Sequence, residues 1–357
     1  MINKSVNSPA KLGYLPALDG LRAVAVLMVM FLHAHFQFGK GGGIGVDLFF
    51  ALSGFLITTL LLEENRANNF ISLFGFYIRR TFRLFPAVYF MLFIIFIYAS
   101  FYTVGLTNEN IHNEIIASSL YVNNISYMWG VTPMFLGHTW SLGVEEQFYL
   151  VWPLLLILVL KYFSIDKLIL VLMVFIPLIW ILKSLHYFPI LSGLIHESIF
   201  IGCLFALLRW ESKTPKKIPN FISIMMFLLL LFIGLISKSI YHTFITYDLR
   251  FIGGFISIFI IIGMVENPKS LLNRLLSFRW IVYIGKISYA LYLWHVPVFK
   301  WFLMYSTMPS LISFVCKFLV TFILAILSLE LIEKKLVLIG RRLSTYYINK
   351  SLNHNLK

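Results

Sequence analysis

Long, uninterrupted apolar runs constrain this chain more than any other feature of its sequence. Stretches such as 84–104, 219–237 and 311–331 carry few charges over the length of about twenty residues that a helix needs to cross a bilayer. Only 12% of residues are charged and 60% are hydrophobic. A water-soluble globule normally carries about a quarter charged residues, so that class is excluded, as is a disordered chain. A β-barrel would alternate polar and apolar residues in segments of roughly ten. The expectation is an all-α integral membrane protein with about ten transmembrane helices, at 18–37, 44–62, 84–104, 138–160, 168–182, 190–208, 219–237, 247–265, 280–304 and 311–331. The polar stretch 105–137 reads as a loop with an interfacial helix.

The net charge of +14 would suggest nucleic acid in a soluble protein. Here its distribution points to topology instead. With the N-terminus inside, twenty-one Lys and Arg fall on the cytoplasmic side and four outside. This bias predicts that both termini are cytoplasmic. No loop is large enough for a separate soluble domain, so nucleic acid is not an expected partner. The expected organisation is one transmembrane domain over 1–335 and a basic cytoplasmic tail over 336–357. The first twenty residues are polar for too long to be a signal peptide, so the first span is expected to be retained. Cys203 and Cys316 lie in apolar runs and imply neither a disulfide framework nor a metal site.

Ionisable residues within spans are costly and mark candidate function. The first span holds Arg22 and His33, eleven residues apart. At 100° per residue they share one face, about 16 Å apart along the axis. After the glycine-rich turn GKGGGIGVD, Asp47 opens the second span near the level of His33. A carboxylate beside an imidazole fixes its tautomer and raises its basicity. Ser53 and Gly54 in FFALSGFLI suit close helix contact. The fourth span opens with HTWSLGVEEQFYLVWP. There Ser141, Glu145 and Tyr149 share a face, and Glu146 lies 100° round. GKISYALYLWHVP in the ninth span adds Tyr289, Tyr292, Trp294 and His295 to the outer half. On the inner side, YIRRTFRLFP places Arg79, Arg80 and Arg83 at one helix entrance, where guanidinium groups can bind phosphates bidentately. Each feature also has a structural reading: snorkelling, helix capping, an interfacial aromatic belt or anionic-lipid contact.

The residues Arg22 and His33 (Arg-x10-His), GVDLFFALSGFLI, RRTFRLFP, WSLGVEEQFYLVWP and GKISYALYLWHVP, in this order, resemble the acyltransferase-3 family of bacterial membrane acyltransferases. The resemblance implies a multi-pass enzyme of the bacterial inner (cytoplasmic) membrane. Such an enzyme moves an acyl group, usually acetyl, from cytoplasmic acetyl-CoA to a hydroxyl of an envelope glycan or lipid-linked glycan. It implies no permanently bound cofactor and no metal. Some relatives add an extracytoplasmic hydrolase-like domain; a chain ending at residue 357 would complete transfer within the membrane. Lipopolysaccharide O-antigen is the expected acceptor. Peptidoglycan, capsule or an exported lipid are the alternatives within the enzyme class, and a transporter or flippase is the rival outside it. His33 is the expected general base, with Asp47 or Glu145 as its partner. Arg22, Arg79, Arg80, Arg83 and Lys286 are expected at the donor, and Trp140, Ser141, Glu146, Tyr149, Tyr292 and His295 at the acceptor.

Overall fold

The computed structural model describes residues 11–34, 39–101, 108–131, 134–185, 193–214, 218–235, 248–308 and 310–355, and among them every regular element is helical. The chain divides into two compact units, one formed by Met1–Ala67 with Val151–Lys286 and the other by Asn68–Leu150 with Ile287–Lys357.

The first unit begins with α1 (Pro16–His33), whose Pro16 stands at a first-turn position where its missing N–H costs nothing. Gly39, at φ 89°, opens a short 3-10 turn over Lys40–Gly43, a left-handed conformation that glycine adopts without penalty. The chain then enters α2 (Ile44–Asn68). The glycines make this hairpin close: a Cβ on Gly42 would lie 2.1 Å from the Met28 carbonyl oxygen, and one on Gly45 2.4 Å from that of Ala25. The unit continues with the latter part of α5 (Trp140–Tyr162), α6 (Ile165–Ser184), α7 (Glu197–Trp210), α8 (Asn220–Leu235), α9 (Asp248–Glu266), α10 (Leu271–Leu276) and α11 (Arg279–Lys286). α2 and α7 touch backbone to backbone: a Cβ on Gly54 would lie 1.9 Å from the Ile199 oxygen, and one on Gly202 2.3 Å from the Ala51 oxygen. This is the small-residue contact that Gly54 suggests in the sequence.

The second unit holds α3 (Leu73–Phe101), α4 (Asn108–Ser119), the start of α5, α12 (Ser288–Tyr305), α13 (Ser310–Ser328) and α14 (Lys334–Asn355). A π turn over Leu329–Glu333 joins α13 to α14. α14 packs along α3, and the expected tail lies in this helix as far as residue 355. α4 occupies the polar stretch expected to be a loop with an interfacial helix.

Among the described residues, six stretches are long and apolar enough to span a membrane: Pro16–His33, Lys40–Asn68, Leu73–Phe101, Gly137–Tyr162, Ile165–Ser184 and Leu311–Asn349. They correspond to six of the ten expected spans. Of the other four, 190–208, 219–237 and 247–265 run into residues outside the described ones, and their described parts lie in α7, α8 and α9. The expected span 280–304 is not one helix; it breaks at Ile287 into α11 and α12. α11 explains the break. It exposes Arg279, Trp280, Tyr283 and Lys286 while burying Val282 and Gly285, an amphipathic pattern rather than half of a lipid-facing span. Gly285 lies flat on α1, where a Cβ would stand 1.8 Å from the Asp19 oxygen.

Candidate active site

The Arg22–His33 face of α1 carries unequal ends. Arg22 donates to Asp19 at 2.8 Å, and Tyr14 donates to the other Asp19 oxygen at 2.9 Å. Lys286 from α11 approaches the Tyr14 ring at 6.0 Å. The two basic residues expected at the donor, Arg22 and Lys286, thus meet one aromatic–carboxylate pair. Half-buried His33 contacts the Val29 carbonyl through Nδ1 at 3.0 Å. A carbonyl only accepts, so Nδ1 carries the proton and Nε2 is the acceptor nitrogen.

Asp47 is 3% exposed. Its Oδ1 accepts from Ser198 at 3.0 Å and lies 3.5 Å from His196 Nε2. The sequence reading offered Asp47 to His33. Gly45 meets α1, and Asp47 lies 200° further round α2 at 100° per residue; its carboxylate also lies 3.3 Å from where a Gly253 Cβ would stand. Next to His196, Lys183 donates to Glu197 at 2.9 Å and to the Ile195 carbonyl at 3.0 Å. Residues 195–198, at the start of α7, are therefore pinned from α2 and from α6. Sequence reasoning passed over His196, Glu197 and Ser198, and counted Lys183 only as one of the four basic residues outside. The rule that buried ionisable groups mark function applies to Lys183, His196 and Glu197.

In the second unit, Ser141, Tyr292 and His295 come together, and His138 joins them. All four are buried. Tyr292 donates to the His138 carbonyl at 2.9 Å. Ser141 also donates toward that carbonyl at 3.3 Å, and the two hydroxyls share a 2.6 Å hydrogen bond in which either oxygen can be the donor. His138 donates through Nε2 to the Leu293 carbonyl at 3.0 Å, and His295 through Nδ1 to the Tyr292 carbonyl at 2.6 Å. Their ring centroids are 5.2 Å apart. The arrangement is a hydroxyl pair flanked by two imidazoles of fixed tautomer. His138 was not singled out in the sequence, although it begins the motif HTWS.

One helical turn further along α5, Tyr149 donates to Glu145. The Arg80 guanidinium sits 4.8 Å from the Tyr149 ring centroid, and Arg80 and Glu145 are charges that face Glu146. Trp140 is half-buried at the first residue of α5. The three arginines diverge. Arg79 donates to Ser344 of α14 at 2.6 Å, Arg80 turns to Tyr149, and exposed Arg83 faces Glu333. Among the described residues no cluster of three or more His, Cys, Asp or Glu has the geometry to hold a metal ion.

The approach to His138 is built by a buried carboxylate. Glu114 of α4 accepts from the backbone N–H groups of Met134, Phe135 and Leu136 at 2.6, 2.9 and 3.3 Å. Asn123 donates to the Leu136 carbonyl and to Thr139. These bonds fix the turn Gly137–Thr139 that delivers His138 and Ser141. Burial pushes the Glu114 carboxyl above the usual carboxylate range, against the opposing pull of the three N–H groups and Lys300.

Comparison with known proteins places these features in a family. Residues 15–330 match the acyltransferase domain family. The chain is 35% identical to peptidoglycan O-acetyltransferase OatA of Listeria monocytogenes over 90% of its length, covering 55% of that protein. It is 34% identical to YrhL of Bacillus subtilis, also named for peptidoglycan O-acetylation, over 90% of its length and 54% of that protein. A Staphylococcus aureus protein named for O-acetyl transfer is 35% identical over 81% of the chain and 51% of its own length. The chain thus spans about half the length of these curated relatives. No solved structure matches it. With the family domain matching from α1 through the π turn after α13, this chain belongs to the membrane acyltransferase family of Acyl_transf_3 type.

Proposed function

We propose that this protein is a membrane O-acetyltransferase that moves acetyl from cytoplasmic acetyl-CoA to a hydroxyl of peptidoglycan. The observation that carries the reading is the family match over 15–330, together with two relatives named for peptidoglycan O-acetylation. The names of these relatives support the alternative acceptor, peptidoglycan, and lend none to the lipopolysaccharide O-antigen expected from sequence. The basic bias supports an orientation with both termini in the cytoplasm.

In this mechanism His33 Nε2 accepts the proton of the acceptor hydroxyl. The oxygen attacks the thioester carbonyl, the C–S bond breaks, and CoA leaves as the thiolate and takes up the proton. Arg22 and Lys286 act on the donor, and Arg79, Arg80 and Arg83 contribute positive charge toward the CoA phosphates. Asp47 and Glu145 are carboxylates that orient and tune acid–base groups. Trp140, Ser141, Glu146, Tyr149, Tyr292 and His295 receive the acceptor.

The test is His33→Ala in a strain whose peptidoglycan acetylation depends on this chain, with membrane insertion verified by protein blot. Acetylated muropeptides should disappear from the mass spectrum. Their persistence at the normal level would remove His33 from catalysis, and their dependence on the chain itself tests the acceptor.

A further inference from the structure

After α9, residues 267–286 carry two short helices, α10 and α11, of which the acetyl-transfer chemistry uses only Lys286. One face of the pair is fixed to the first unit. The Asn273 side chain donates to the Met264 and Asn267 carbonyls at 2.9 and 2.8 Å, and its N–H donates to Ser270 at 3.2 Å. These bonds tie α10 to the end of α9. Leu272 and Leu276 are buried, and a Cβ on Gly20 would lie 2.0 Å from the Leu276 oxygen, so α10 rests on the start of α1. α11 rests there too, through Gly285. α1 is long and apolar enough to cross a membrane, and α9 is apolar as far as Glu266. The pair therefore lies where one apolar helix ends and another begins, at the level of a membrane surface.

The opposite face is uncovered. Leu271, Arg274, Leu275 and Phe278 recur at i, i+3, i+4 and i+7 and are all exposed. On α11, Arg279, Trp280, Tyr283 and Lys286 are exposed on one side. Phe278 and Trp280 are 60% and 72% exposed. With Lys269, this stretch holds four cations and no Asp or Glu. None of the four forms an ion pair among the described residues. Water would suit the cations but not the leucines and aromatic rings. Hydrocarbon would suit those side chains but not the cations. The headgroup region of a bilayer supplies both, an acyl boundary for the apolar groups and phosphate for the basic ones. An acidic protein would satisfy the cations only, and at this level lipid is the neighbour.

We propose that this face docks on anionic phospholipids of the leaflet at which α9 ends and α1 begins. Leu271, Leu275, Phe278 and Trp280 enter the acyl boundary, and Arg274 and Arg279 bind headgroup phosphates. Helices this short are marginal alone, so docking also holds α10 and α11 folded against α1.

Hydrogen exchange of the full chain in detergent micelles, titrated with phosphatidylglycerol, tests this. Peptides from 267–286 should exchange more slowly as the lipid is added, those of α6 should not change, and phosphatidylcholine should have no such effect. Arg274→Gln with Arg279→Gln removes two exposed charges and leaves the packed face intact. It should raise the half-saturating phosphatidylglycerol about thirty-fold, from the worth of each cation at a lipid surface. Phe278→Ser with Trp280→Ser keeps the cations and should weaken docking at least about ten-fold. Equal slowing with phosphatidylcholine, an unchanged midpoint in the arginine variant, or uniform slowing of the whole chain would overturn the proposal. Slowing by acetyl-CoA and not by phosphatidylglycerol would assign the face to the donor and overturn the lipid assignment. None of these readouts passes through acetyl transfer.

Discussion

Glu114 offers the sharpest test of how the second unit presents its polar cluster. Its two carboxylate oxygens accept three backbone N–H groups, those of Met134 and Leu136 on Oε1 and that of Phe135 on Oε2. Glu114→Gln keeps the size but replaces one oxygen with an NH2 group. In the better amide orientation Oε1 still serves Met134 and Leu136, and the NH2 faces the Phe135 N–H. One buried donor then goes unsatisfied, at about 2 kcal/mol. Glu114→Ala removes both acceptor oxygens, leaves all three N–H groups unsatisfied and costs about 3 kcal/mol or more. Amide hydrogen exchange reads the effect where it arises. A loss of about 2 kcal/mol corresponds to roughly thirty-fold faster exchange at Phe135 if local opening controls it. Met134 and Leu136 should accelerate in the Ala variant and much less in the Gln variant. Acetyl transfer should fall in the same order, because this segment leads into the turn that holds His138. Equal exchange at all three amides in wild type and both variants would refute the splint.

The same residue gives a pH dependence. The folded-state carboxyl is raised, chiefly by burial, so the folded state binds the proton more tightly than the unfolded chain. Its stabilisation is full below the ordinary carboxylate range and is lost as pH rises through the raised value. Glu114→Gln has no such proton and should remove that downward slope from a stability–pH curve in detergent. An unchanged slope in the variant would assign it to other groups.

Three further substitutions probe the packing and the cluster. Gly54→Ala must push α2 and α7 apart, since its Cβ would stand 1.9 Å from the Ile199 oxygen; a loss of about 1–3 kcal/mol should show as a lower melting temperature, and an unchanged one would contradict the close contact. Lys183→Ala strands the Glu197 carboxylate in a buried site and should cost about 3–5 kcal/mol. The double variant Lys183→Met with Glu197→Leu should recover most of it, and a double variant worse than the single would argue against an isolated ion pair. Tyr292→Phe leaves the His138 carbonyl and the Ser141 hydroxyl without that phenol; acetyl transfer should fall about five-fold or more, the worth of one lost hydrogen bond in the acceptor site. Normal turnover would put the hydroxyl pair outside the chemistry.

The features legible in the sequence are those whose partners lie within one or two helical turns. The shared face of Ser141, Glu145 and Tyr149 follows from 100° per residue, and Tyr149 does donate to Glu145. The apolar length of the first five spans and the last follows from the same arithmetic, and all six are helices of spanning length. The break at Ile287 was hidden because Trp280, Ile281, Val282, Tyr283 and Ile284 raise hydropathy as a span would. Only their spacing, with Arg279, Tyr283 and Lys286 on one side, marks an interfacial helix.

Pairs joined across long stretches of chain could not be read in this way. Asp47 meets Ser198 across 151 residues, and Ser141 meets Tyr292 across the same separation. Each partner looks unremarkable alone: a serine near a helix start, a tyrosine in an aromatic belt. What the sequence does carry is the cost. An Asp, a Lys or a His inside an apolar run needs a partner, so Asp47, Lys183 and His295 each announce a bond without naming it. His196 and Glu197 sit within the apolar candidate span 190–208 and announced theirs equally. The acceptor glycan leaves no such trace, because a sugar hydroxyl is recognised by groups that also serve ordinary helix contacts. The proposed peptidoglycan acceptor therefore rests on the names of the relatives rather than on any residue pattern.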